Sequence, residues 1–294
     1  MAEILQNGDL ILRIDLPFEN YKAARFDQSG KISSVTYRGM VLTVDEKPEF
    51  QNDALHGKGL YNEFGIERAL GFEAAAPGGW FHKIGVGLLK KEDGPYAFDK
   101  PYTIEPASFE MERHKESLTF QCEGKMVNGY GYLLTKTIAL EDQGFSISYV
   151  LENTGEQRIA TSEYVHNFFA LQSGTSGGFP CLELPFAIDP ERFWETVNPE
   201  AAISFGKDAL CCDFNPKRQF FIDHLNGTGQ VDAAWALYHP HSKLRVREQG
   251  DFKTNKVNLW GWRHVISPEL FKTIDLGQAE SAKWSRNYRI EMGD

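Results

Sequence analysis

"GYLLTKTIALEDQGFSISYVLEN", residues 131–153, is the stretch that decides the class of fold. Its two runs, "GYLLTKTIAL" and "FSISYVLEN", alternate apolar and polar side chains, and "EDQG" between them reads as a hairpin turn ending on Gly144. Period two sends successive side chains to opposite faces of a sheet, so each run reads as a strand with one buried face. The same pattern continues outward. "ESLTFQCEG" places Leu118, Phe120 and Cys122 on one face, and "KWSRNYRIEM" does so for Trp284, Arg286, Tyr288 and Ile290. "KVNLWGWRHV" is expected to align Asn258, Trp260, Trp262 and His264. Helical periodicity is scarce, and short "KDALCCDF" is its best candidate. Many short strands with no linker, charge block or internal repeat predict a mostly β protein. The expected architecture is a single large antiparallel β-sandwich over residues 1–294, with loop-rich regions near 50–85 and 171–200 as places for a binding site.

Composition narrows the function. With 294 residues, 41% hydrophobic and 24% charged, the chain can bury a large core. A formal charge of −10 and a pI near 5.4 argue against nucleic acid or an anionic membrane as the main partner. No apolar run approaches the roughly 20 residues that span a bilayer. The opening "MAEILQNGDLILRIDL" alternates like a strand and is not expected to be a signal peptide. The cysteines Cys122, Cys181, Cys211 and Cys212 lack metal-ligand spacing; reduced, buried thiols in a cytoplasmic protein are expected.

Several segments resemble chemistry without completing it. "LQSGTSGGFP" (171–180) is glycine-rich but lacks the lysine of a phosphate-cradling loop. "YHPHSK" puts His239 and His241 on one side of an extended segment without a spaced third metal ligand. There is neither a dinucleotide fingerprint nor a G-x-S-x-G elbow. The aromatics say more. Trp80, Phe81, Trp194, Trp260, Trp262 and Trp284 fall in or beside loop-rich segments, where they either plug the ends of a core or offer a platform to the C–H face of a sugar. Polar partners stand beside them in "WFHK" and "WGWRH".

"ENTGEQRIATSEYVHNFFAL", residues 152–171, places Glu163, His166 and Asn167 in an otherwise apolar strand. A histidine there is either a satisfied core residue or a chemical group. The order of an "N-T-G" turn and a strand bearing His166-Asn167-Phe168-Phe169 resembles the galactose mutarotase-like superfamily, which includes aldose 1-epimerases and hexose-phosphate mutarotases. "SPELFKTIDLGQAESAKWSRNYRI" (267–290) resembles that family's closing segment, although its turn "DLGQAES" lacks the usual proline. "FHKIGVGLL" is similar to a substrate-facing strand of some members.

The resemblance implies a large antiparallel sandwich and a mutarotase that opens and recloses an aldose without any cofactor. Opening needs a proton delivered to the ring oxygen and another removed from the anomeric hydroxyl. The resemblance assigns the acid to His166 and the base to Glu269. Were Glu269 displaced, the base would be either missing or Glu248, with Glu163 positioning His166 or accepting a sugar hydroxyl. His82 stands for a second substrate-binding histidine with Lys83 beside it; Asn167, Trp260 and Trp262 join the expected substrate contacts. A sugar phosphate would need converging cations, for which Arg68, Lys83 and Arg263 are the candidates. The expected partner is thus a small-molecule sugar or sugar phosphate. A carbohydrate-binding protein of the same fold that does no catalysis is the competing reading.

Overall fold

The computed structural model describes residues 2–47, 55–171, 179–212 and 214–293. The deciding hairpin forms as its alternation requires. Strands Tyr130–Glu141 and Gly144–Asn153 pair antiparallel, and the register Glu141↔Gly144 leaves Asp142 and Gln143 as the turn. Gly144 is needed there because a Cβ would lie 1.8 Å from the carbonyl oxygen of Tyr288 on the adjoining strand. That strand, Ser281–Met292, and Leu244–Thr254 beyond it extend the hairpin into a ten-stranded antiparallel sheet.

A seven-stranded sheet faces it, running through Glu3–Asn7, Leu10–Asp15, Lys31–Tyr37, Leu60–Phe64, Ile159–Asn167 and Lys272–Leu276, with Met40–Val41 attached to the third. Apolar positions at period two fill the space between. Leu12, Ile14, Val35 and Val165 from one sheet join Phe120, Ile138, Ile147 and Leu151 from the other in one buried cluster. Each such side chain stabilises the fold by about 1.5–3 kcal/mol relative to exposure. Two smaller sheets, of four and three strands, complete the fold, and there is no α-helix among the described residues. Among the described residues no helix is long and apolar enough to cross a membrane.

Three expectations need correction. "KDALCCDF" is extended at Ala209–Cys212, which pairs on both sides as the second strand of the ten-stranded sheet, because the β-partners' backbone outweighs a short local helical preference. "KVNLWGWRHV" is not one strand: Val257–Trp262 turns at Arg263 and His264 and returns as Val265–Leu270. The thiols are not all reduced. Cys181 and Cys211 lie on neighbouring strands with Cα atoms 4.2 Å apart and form a disulfide, which does not include Cys122 and Cys212. Cross-strand proximity is invisible in linear spacing, and the step from thiols to a reducing compartment loses its basis. Most of "LQSGTSGGFP" lies outside the described residues.

Candidate functional site

Strand periodicity answers why two ionisable groups three residues apart share one strand. Tyr164, His166 and Phe168 alternate to one side of Ile159–Asn167, Glu163, Val165 and Asn167 to the other. Glu163 and His166 therefore face different environments. Glu163 and Asn167 point between the sheets, where Arg286 is completely buried. Its guanidinium donates to Glu163 Oε2 at 2.8 Å and Glu248 Oε1 at 2.6 Å. Asn167 donates to Glu248 at 3.0 Å and accepts from the Tyr288 hydroxyl at 3.0 Å. This is a structural ion-pair layer, and it absorbs Glu248 as well. Burial raises the Glu248 carboxyl above its usual range despite Arg286.

His166 faces the other way, toward a cleft of about 750 Å³. Its polar neighbours come from two other strands. Register with Leu60–Phe64 (Tyr164↔Glu63, His166↔Tyr61) brings Glu63 Oε2 to 3.1 Å from Nε2. An isolated bridge between Phe169 and Ile266 docks Val265–Leu270 against the histidine strand, and Glu269 Oε1 reaches 3.2 Å from Nδ1. Glu63 also accepts from Lys83 Nζ at 3.1 Å, Arg25 Nε at 3.2 Å and the Tyr164 hydroxyl at 3.1 Å. Arg25 continues to Glu46 at 3.2 Å. Burial alone would raise the Glu63 pKa, but Lys83, His166 and Arg25 outweigh it and bring it down to about 2. Burial likewise opposes a charged His166, yet its bonds to Glu269 and Glu63 prevail and raise its pKa above the ordinary value.

Aromatic rings shape the rest of the cleft. Tyr164 and Phe271 stack with centroids 4.2 Å apart, and Trp260, half-buried, stands edge-on to Phe168 at 6.0 Å. Asn258 and Lys256 also line it; Lys256 is held by Glu67 at 2.7 Å and Asp223 at 3.6 Å.

Of the residues singled out in the sequence, the structure brings His166, Glu269 and Trp260 together at the cleft. Lys83 acts behind it, through Glu63. His82 is buried away from the cleft with Nε2 on the Tyr130 carbonyl at 3.1 Å, and burial pushes its pKa down to about 4. Trp262 is buried and donates to the Lys217 carbonyl at 3.0 Å, with Arg263 over its ring at 4.4 Å. Arg68 is exposed and is not among the cleft residues. Arg68, Lys83 and Arg263 thus do not converge on an anion. Among the described residues, no three His, Cys, Asp or Glu side chains are grouped to hold a metal.

Glu63, Tyr164, Arg25 and Glu46 escaped sequence reasoning. A signal existed for the first. "LYNEF" is a strand buried at all five positions, yet it carries Asn62 and Glu63, the same anomaly that marks His166. Arg25 and Glu46 stand in connecting segments with no periodic pattern to flag them.

No family profile and no curated protein sequence matches the chain. Solved structures do. A galactose mutarotase-like protein from Lactobacillus casei superposes with a TM-score of 0.62 at 10% identity, covering 99% of this chain and 100% of the other. A galactose mutarotase related enzyme from Lactobacillus acidophilus gives 0.59 at 13% identity, with 98% and 97% covered. An aldose epimerase homologue from C. elegans gives 0.53 at 12%, with 100% of both chains covered. At such identity the likeness concerns architecture: the chain has the galactose mutarotase-like fold.

Proposed function

We propose that the protein interconverts the anomers of an aldose, with His166 as acid and Glu269 as base. The observation that carries this is the meeting of these two side chains, from separate strands, 3.2 Å apart at the floor of the cleft. The ring oxygen and the anomeric oxygen are bonded to the same carbon, so one adjacent acid–base pair serves both. The imidazolium protonates the ring oxygen while the carboxylate takes the hydroxyl proton, and reclosure on either face reverses both transfers. Trp260, Phe168 and Phe271 offer apolar surface to the sugar's C–H face, and Asn258 offers hydrogen bonds to its hydroxyls. Arg25 and Lys256, two of the cations lining the cleft, are each held by two carboxylates, which speaks against their holding a phosphate.

The same contact supports a second reading. If His166 and Glu269 stay closed on each other when sugar enters, the cleft binds carbohydrate without opening its ring. Saturation-exchange NMR between anomers, run on aldoses and their 6-phosphates, separates the two. Catalysis predicts exchange well above the uncatalysed rate. His166→Asn and Glu269→Gln should each remove about 10²–10⁴ of it while sugar affinity stays within a few fold. Full exchange in His166→Asn overturns the assignment. Binding without exchange by the unaltered protein establishes the second reading.

A further inference from the structure

We infer that Glu63 is the positioning residue of this site: it fixes the proton on His166 Nε2 and so makes Nδ1, facing Glu269, the nitrogen that exchanges protons. The catalytic half of this rests on the acid–base reading above; the tautomer does not.

The argument starts from donors and acceptors. An ionised carboxylate can only accept hydrogen bonds. Glu63 is completely buried, and its two oxygens meet Lys83 Nζ, Arg25 Nε, the Tyr164 hydroxyl and His166 Nε2, all between 3.1 and 3.2 Å. With two fixed cations beside it, Glu63 stays ionised, so Nε2 must be the donor and carry hydrogen. The ring proton that can move is the one at Nδ1. There Nδ1 and Glu269 Oε1 stand 3.2 Å apart, and the second proton belongs to one or the other. On nitrogen it makes an imidazolium–carboxylate pair, on oxygen a neutral one. Of the described groups around the ring, Glu63 and Arg25 pack behind Nε2, Tyr164 beside it, and Glu269 meets Nδ1.

This arrangement dictates the direction of transfer. Nδ1–H goes to the ring oxygen as the bond from the anomeric carbon to that oxygen breaks, with the ring oxygen keeping the electron pair. The anomeric hydroxyl proton passes to Glu269 as the aldehyde forms, and reclosure returns both. Glu63 exchanges no proton. It plays the part that a buried carboxylate plays in a Ser-His-Asp triad, holding one nitrogen so that the other works.

Nitrogen-15 shifts of the His166 ring report the tautomer directly. In the unaltered protein, Nε2 should remain protonated from about pH 5 to pH 9, with any titration confined to Nδ1. Glu63→Gln leaves one acceptor oxygen where a carboxylate met four donors. It should lower the His166 titration midpoint by about one pH unit or more and reduce kcat about 10²–10⁴-fold with KM within a few fold. Glu269→Gln should keep Nε2 protonated, since Glu63 is intact. A neutral ring protonated on Nδ1 in the unaltered protein overturns the inference, as does a Glu63→Gln spectrum and titration matching the unaltered protein's. Should Glu63→Gln not fold, the spectra of the unaltered protein and of Glu269→Gln still decide. If the protein catalyses no anomer exchange, the proposed reaction fails while the ring shifts still test the tautomer.

Discussion

Glu63 and His166 titrate in opposite senses, so the site leaves a mark on stability at both ends of the pH scale. The Glu63 pKa is depressed in the fold from an ordinary 4.5 to about 2. Its contribution is fully present above the ordinary value and is lost as pH falls through about 2. The His166 pKa is raised, so its contribution is full below the ordinary histidine value of 6.5 and is lost as pH rises through the raised one. Urea midpoints across pH should therefore be highest between these limits. Glu63→Gln should flatten the acid limb and His166→Asn the alkaline limb; unchanged limbs would show that other groups dominate. The two neighbouring tryptophans also separate at this scale. Trp260→Ala should weaken hexose binding roughly twofold to tenfold, the 0.5–1.5 kcal/mol of an aromatic contact. Trp262→Ala should leave affinity alone but cost about 3–5 kcal/mol of stability, because its ring is buried. Calorimetric titration with a hexose and urea unfolding of both variants would check this.

The histidine strand shows what an element adds to its residues. Ile159–Asn167 carries a structural face and a chemical face, and alternation keeps the two independent. Arg286→Met strips the counter-charge from Glu163 and Glu248, both buried, and should destabilise by about 3–5 kcal/mol. Anomer exchange by the folded fraction should stay within a few fold of the unaltered rate, since Arg286 lies on the far side of the strand. A Glu163→Gln protein that lost exchange while remaining stable would contradict the division of faces. Period two is readable in "TSEYVHNFF", and it sets Glu163 and His166 on opposite faces, against the expectation that Glu163 positions His166. Which face meets a cleft and which meets another sheet was not readable, because both are buried.

Across the whole molecule, the disulfide ties the second and third strands from one end of the ten-stranded sheet, closing a sequence separation of 30 residues. Chain-entropy reasoning puts its contribution at about 3–4 kcal/mol. Reduction should lower the urea midpoint accordingly, and thiol titration of denatured protein should count two thiols before reduction and four after. Four thiols without reductant would show the bridge absent. The continuous buried cluster from Leu5 to Ile290 also favours one cooperative unit over the chain, expected as a single unfolding transition by circular dichroism and fluorescence.

Local pattern by itself determined that this chain is built of strands. Alternation in "GYLLTKTIAL" and "FSISYVLEN" depends only on which face each residue must bury, and that is written in adjacent letters. The motif around His166 pointed to one half of the site for the same reason. Its other half was decided by tertiary structure. Glu63, His166 and Glu269 lie on strands about 100 residues apart, and their meeting depends on sheet register and on the bridge from Phe169 to Ile266. The bond between Cys181 and Cys211 depends in the same way on which strands become neighbours. Register and strand order are set by how two whole sheets bury their faces together, a property no single segment contains.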